Sequence, residues 1–230
     1  MSDTGTLAEQ VYNEIMDEIC AGTFPAESRL KQESLALQLG VSRQPVQQAL
    51  NKLKADGIVH DAPGRGLAVA SPDLIMARHR YQVRLVLDSL ASEAAAKRCA
   101  EDPELARETR RKGNLILDEA MAALAADDLK TLFRADVDFH ALVYDTTGNP
   151  ALKDSATVHW RYLQRIMSCT LREVEDVPEK FWNQHSNILN AIVEGRARRA
   201  NRWARLHIRY FLAIAERVYG DAPAAGQLEH

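Results

Sequence analysis

Cysteine is scarce in this 230-residue chain: Cys20, Cys99 and Cys169 are its three, widely separated and odd in number. That excludes a disulfide framework, and the lack of a Cys-x-x-Cys pair excludes the common thiolate zinc sites. Long apolar runs are missing, so no segment reads as a membrane span. The opening MSDTGTLAEQ is polar and has no apolar signal core, which argues against secretion and for the cytoplasm. Aromatic residues make up only 6%, and a net charge of −3 is too small to announce a highly charged partner. Repeats and low-complexity segments are absent as well. What is there is an ordinary globular composition, 46% hydrophobic and 27% charged, with enough apolar mass for a core.

Periodicity and breaks divide the chain in two. Leu7, Val11, Ile15 and Ile19 recur every four residues and predict an amphipathic helix, stopped by Gly22 and Pro25. A short helix follows at about 32–39, ended by Gly40. Ser42 is a favourable N-cap for a third helix, whose buried edge is Val46, Leu50 and Leu53 and whose first turn tolerates Pro45. Two β-prone runs, 58–60 and 67–69, flank Pro-Gly-Arg-Gly and predict a hairpin. Ser71-Pro72-Asp73 reads as a linker. Beyond it lie six predicted helices, at about 74–100, 103–126, 127–146, 150–173, 178–194 and 196–219. The expected organisation is a reader domain at 1–72, a helical domain at 73–220 and a tail at 221–230, whose last three residues look like an appended tag.

The order helix, short helix, tight turn, third helix, hairpin is that of a winged helix-turn-helix, whose third helix enters the DNA major groove. Opposite its buried edge that helix carries Gln44, Gln47, Gln48 and Asn51, spaced i, i+3, i+4, i+7. Amide side chains can bond adenine bidentately. Arg43 at the helix start can reach phosphate or guanine, and Arg65-Gly66 at the hairpin tip can approach the DNA backbone or minor groove closely. Between Ser28 and Gly66 six cations (Arg29, Lys31, Arg43, Lys52, Lys54, Arg65) face three acids (Glu33, Asp56, Asp61), a mild local excess that suits phosphate contact. The stretch LALQLGVSRQPVQQALNKLKADGIV resembles the GntR family of bacterial transcription regulators. It keeps Leu35-Ala36, Leu39-Gly40-Val41-Ser42-Arg43, Pro45-Val46, Ala49-Leu50, Leu53, Gly57 and Arg65-Gly66, but has Gln47 where the family commonly has arginine. The resemblance implies the family's docking mode with a different operator preference.

The segment FRADVDFHALVYD sets a second problem. On a helix, Asp136 and His140 fall one turn apart on an apolar face shared with Leu129, Leu132, Phe133 and Val143. A buried ionised carboxylate needs a partner, either an arginine or a metal ion. His185 shares its face with Phe181, Trp182, Ile188, Leu189 and Ile192. His207 lies opposite the basic stripe Arg198, Arg202, Arg205 and Arg209, so it points inward. His185 precedes Gly195 by ten residues and His207 follows it by twelve, roughly 15 and 18 Å from the turn at about 1.5 Å per residue. Two antiparallel helices therefore bring the rings level. Three imidazoles and a carboxylate suit Zn²⁺ or Ni²⁺. His60, His79 and His159 lack such placement.

This portion resembles the ligand-binding FCD domain of FadR-type GntR regulators. DVDFHALVYDTTGNPAL is similar to its Asp-x-x-x-His helix and Gly-Asn turn, and QHSNILNAIVEGRARRA and LHIRYFL to the helices that each supply a histidine. The resemblance implies that Asp136, His140, His185 and His207 bind a divalent metal ion, and that a small organic acid binds there. Arg84 matches a recurrent arginine of the domain type. It either holds the effector carboxylate or pairs with Asp88 one turn on. Tyr81 and Tyr144 are further candidates for the effector pocket. The expected molecule is mainly α, a winged helix-turn-helix followed by an all-α bundle. It is expected to act as a metabolite-responsive homodimeric repressor on double-stranded operator DNA, with no membrane partner and no catalytic residue. The alternative is a metal-dependent enzyme built on the same four ligands.

Overall fold

The computed structural model describes residues 6–64, 66–174 and 177–219, and the chain divides into two compact units between Pro72 and Asp73. The first unit opens with α1 (Leu7–Ala21). Thr6 and Glu9 close a reciprocal capping box at its start, and Gly22 ends it in the left-handed conformation. Then come β1 (Arg29–Leu30), α2 (Gln32–Leu39), α3 (Arg43–Ala55), β2 (Val59–Asp61) and β3 (Leu67–Val69). The strands form one antiparallel sheet in the order β1-β3-β2. Val11, Ile15, Ile19, Val46, Leu53, Ile58 and Val69 are almost completely buried between these elements. The Tyr12 hydroxyl donates to Asp56 Oδ2 at 2.6 Å and ties α1 to the end of α3.

Two details depart from the sequence-based expectation. Strand β1 is new. At two residues it is too short to display the alternation that reveals a strand. Ser42 occupies the N-cap of α3 but its side chain makes no capping bond. The N3 position that a serine cap normally serves is Pro45, which has no N–H to donate.

The second unit is helical: α4 (Leu74–Glu101), α5 (Pro103–Ala125), α6 (Leu129–Thr146), α7 (Pro150–Arg172), α8 (Val177–Val193) and α9 (Ala197–Tyr219). Asp73, Asp102, Asp128 and Asn149 cap α4 to α7 with their side chains, and Pro103 and Pro150 occupy the first turns that prolines tolerate. Helix α6 starts two residues later than its pattern suggested, because Asp127 turns left-handed (φ 54°) and hands the cap to Asp128. The long α4 contacts every other helix of the unit. Ala91, Ala95 and Ala96 let those neighbours approach it closely. Gly113 serves the same end between α5 and α8, since a Cβ there would lie 2.5 Å from Leu189 Cδ1. Among the described residues no helix is long and apolar enough to cross a membrane.

Candidate functional site

The four suspected ligands come from three helices. Asp136 and His140 sit one turn apart on α6, His185 lies on α8 and His207 on α9. All four are buried, and one donor atom from each can be chosen so that all lie within 4.8 Å of one another. Two donors on opposite sides of an ion, each at about 2.1 Å, are about 4.2 Å apart, so a few tenths of an ångström of inward movement closes the set on one centre. Asp136 Oδ1 is 3.2 Å from His185 Nε2 and 3.6 Å from His140 Nε2. None of those three atoms has a hydrogen-bond partner. Buried polar atoms converging on one point without partners are costly, and a divalent cation would satisfy all of them at once.

The surroundings are aromatic. The His185 ring lies 4.5 Å from Phe139, 4.7 Å from Phe181, 4.6 Å from Trp182 and 4.4 Å from His207, centroid to centroid. Burial lowers His185 to about 4, against the pull of Asp136. Burial, with His185 and His140 adding to it, holds His207 well below the usual imidazole range. Burial would push the Asp136 carboxyl up, but His140 and then His185 outweigh it and hold it well below the carboxylate range. Neutral imidazoles beside an ionised carboxylate are the protonation states that bind a metal. His207 Nδ1 lies 3.2 Å from Gln184 Oε1, so a proton on Nδ1 would leave its Nε2 lone pair available.

Arg84 does pair with Asp88, Nε to Oδ2 at 3.1 Å, and both are buried. It also lines a cavity of about 10 Å³ with Asp136, His140, Trp160 and Gln164, so one reading of Arg84 does not displace the other. Gln164 Oε1 is buried there without a partner. Tyr144 donates to Asp88 Oδ1 at 2.5 Å, on the side of His140 where a second cavity of about 10 Å³ lies. Tyr81 is buried against the tilted ring of Phe211, centroids 5.8 Å apart. Burial raises both phenols, so they act as neutral hydroxyls. Gln184 and Gln164 escaped the motif reading, and Asp88 entered it only as a partner for Arg84. Each is polar on a largely apolar face, but one such residue per helix does not stand out from the sequence. A groove of about 470 Å³ is lined by Arg198, Arg199, Arg202, Trp203 and Leu206 of α9. None of the four cluster residues lines it.

In the first unit Gln44, Gln47, Gln48 and Asn51 are all exposed along α3. Arg43 is exposed and pairs with Glu33 at 2.9 Å, an ion pair that solvent weakens and a phosphate can replace. Gly66 is exposed at φ 106°, a conformation that favours glycine. Arg65 lies outside the described residues. Gln47, Asn51 and Gly66 share a groove of about 300 Å³ with Arg29, Lys31 and Gln32. Arg29 and Lys31 contributed to the basic excess in the sequence, but only β1 places them beside α3.

Residues 7–69 match the family described as "Bacterial regulatory proteins, gntR family", and residues 79–210 match the FCD domain. The chain is 27% identical over 228 residues to the "Probable D-xylose utilization operon transcriptional repressor" of Paenarthrobacter nicotinovorans, covering 96% of this chain and 94% of that protein. It is 28% identical over 147 residues to the "Uncharacterized HTH-type transcriptional regulator YdhC" of Bacillus subtilis, covering 63% of this chain and 62% of that one. The solved structure of E. coli McbR/YncC superposes with a TM-score of 0.78 at 18% identity, over 94% of this chain and all of that one, a likeness of fold.

Proposed function

Because the chain belongs to the GntR family of bacterial transcription regulators with a C-terminal FCD domain, we propose that it is a repressor whose DNA affinity is set by a divalent cation and a small organic acid in the helical unit. Family membership makes it a DNA-binding regulator and not an enzyme, which sets the metalloenzyme alternative aside. The observation that carries the proposal is the convergence of unpartnered Asp136 Oδ1, His140 Nε2 and His185 Nε2 with His207 inside the bundle. Zn²⁺ or Ni²⁺ suits that donor set. Four protein ligands leave positions open on a six-coordinate ion, where a carboxylate can bind with Arg84 beside it.

The two cavities flanking His140 are about 10 Å³ each, at the threshold for a single water. An organic acid therefore enters only if the helices part, and its effect on DNA binding equals the difference in its affinity for the closed and parted states. The protein works as a homodimer. Met76, Val83, Val86 and Leu90 are exposed on α4 at spacings of seven, three and four, an unpartnered apolar stripe of the kind a second copy covers. On the DNA side, α3 reads base edges through Gln44, Gln47, Gln48 and Asn51, while Arg43, Arg65 and Gly66 meet the backbone.

Fluorescence anisotropy with the duplex upstream of the protein's own gene tests this reading, with and without chelator, alongside elemental analysis of the purified chain. Sequence-specific binding that changes on cation removal is expected. DNA binding indifferent to chelator, from a chain that carries no stoichiometric metal, would overturn the metal and effector assignment.

A further inference from the structure

Asp88 lies on α4, outside every motif that marks the cluster, yet two donors and an imidazole nitrogen converge on its two oxygens. Tyr144 donates its hydroxyl to Oδ1 at 2.5 Å, Arg84 donates Nε–H to Oδ2 at 3.1 Å, and His140 Nδ1 lies 3.4 Å from Oδ2. The carboxylate is buried among them. We propose that Asp88 is a positioning residue that aims His140 at the cation and Arg84 at the effector cavity, and so links the two affinities. The inference rests on the metal reading above.

The argument begins with the His140 ring, which stands between two carboxylates. Its Nδ1 faces Asp88 and its Nε2 faces Asp136 Oδ1 at 3.6 Å. A neutral imidazole carries one proton. Placed on Nδ1, that proton points at Asp88 and frees the Nε2 lone pair for the centre shared with Asp136 and His185. Placed on Nε2, it would occupy that centre and leave the Nδ1 lone pair facing a carboxylate oxygen. Asp88 therefore selects the ligating tautomer and strengthens the ligand, as a carboxylate behind a metal-bound histidine does. Gln184 offers the corresponding acceptor to His207, but as a neutral amide.

The same carboxylate takes the Arg84 Nε–H. Among the described residues the guanidinium makes no other hydrogen bond, so its two Nη groups remain for the cavity lined by Asp136, His140 and Gln164. A ligand carboxylate that draws Arg84 towards the cavity weakens its hold on Asp88 and returns negative charge to His140. Cation binding and ligand binding then reinforce each other, and by linkage each raises the other by the same factor.

The test titrates the chelator-stripped full chain with Zn²⁺ by calorimetry and reads the imidazole nitrogen resonances of the zinc-loaded protein. Asp88→Asn keeps the volume but removes the charge, and the dissociation constant is expected to rise about 10-fold or more. The double variant Arg84→Met with Asp88→Asn is expected to stay weak, which separates this role from that of a mere counter-ion to Arg84. In the wild type His140 should carry its proton on Nδ1 and bind through Nε2. Ligation through Nδ1 in the wild type overturns the inference without any variant. A dissociation constant for Asp88→Asn within about threefold of wild type does so too, as does recovery in the double variant. A wild-type chain with no zinc affinity overturns both this inference and the metal reading, whereas wild-type binding with Asp88→Asn unaffected overturns this inference alone.

Discussion

Replacing His185 with phenylalanine separates packing from ligation at the cluster. The ring is fully buried between Phe139, Phe181, Trp182 and His207, so a phenyl group keeps most of its contacts. What disappears is the pair of ring nitrogens, neither of which has a hydrogen-bond partner. A buried polar atom left without a partner costs about 1–3 kcal/mol. Against that gain stand the loss of His185 beside the buried Asp136 carboxylate and the slightly larger ring, so the cation-free variant should stay within about 1–3 kcal/mol of the cation-free wild type. The cation side runs the other way. At a free Zn²⁺ concentration 100 times the dissociation constant, a cation that binds only the folded state adds about 2.7 kcal/mol. For a helical unit of this size each kcal/mol moves the melting temperature by about 2–4 °C, so the wild type should gain roughly 5–10 °C. The variant, short of one ligand in four, should show a small fraction of that gain. Thermal melts in chelator and in buffered Zn²⁺ measure both quantities. An undiminished zinc shift in the variant would refute the ligand assignment. Collapse of the variant in chelator would refute the claim that the ring is held by packing.

Further outcomes follow from other residues. Gly195→Ala should destabilise the helical unit by more than about 1–2 kcal/mol, the cost of a left-handed L-residue, because its Cβ would also lie 2.7 Å from Ala100 Cβ; a denaturant midpoint equal to wild type contradicts this. Gln47→Ala should weaken binding to the upstream duplex by about 1–3 kcal/mol if Gln47 reads a base edge, seen by anisotropy, while zinc affinity stays unchanged. Arg43→Ala should lower DNA affinity less selectively, reducing binding to specific and random duplexes alike, with a salt dependence shallower by about one phosphate contact. Val83→Glu combined with Leu90→Glu should halve the molar mass measured by light scattering; an unchanged mass places the dimer seam elsewhere.

Much of the fold was legible because its punctuation is local. Asp102-Pro103, Gly148-Asn149-Pro150, Gly40 and Gly195 mark helix ends by conformational preferences that no distant residue can overrule. The amide face of α3 was legible for the same reason, since a 3.6-residue period fixes which side chains share a side. The inward placement of Asp136, His140, His185 and His207 follows from each helix's own pattern. Ser42 shows the limit of reading residues singly: it takes the N-cap position, but Pro45 at N3 removes one of the two N–H groups its side chain could serve, and no capping bond forms. Strand β1 was too short to carry a pattern at all, so Arg29 and Lys31 could be counted but not placed.

The amino-acid order alone thus determined the elements, their buried faces and the residue types that chemistry could use. Only the tertiary structure decided which of those faces meet. It put Asp136 Oδ1 3.2 Å from His185 Nε2, across two helices whose sequences say nothing of each other's azimuth. It set Asp88 of α4 behind His140 of α6, and it left the cluster closed around cavities of about 10 Å³. Register within a helix is a property of covalent geometry, whereas register between helices is settled by how alanines, a glycine and aromatic rings fit together in three dimensions.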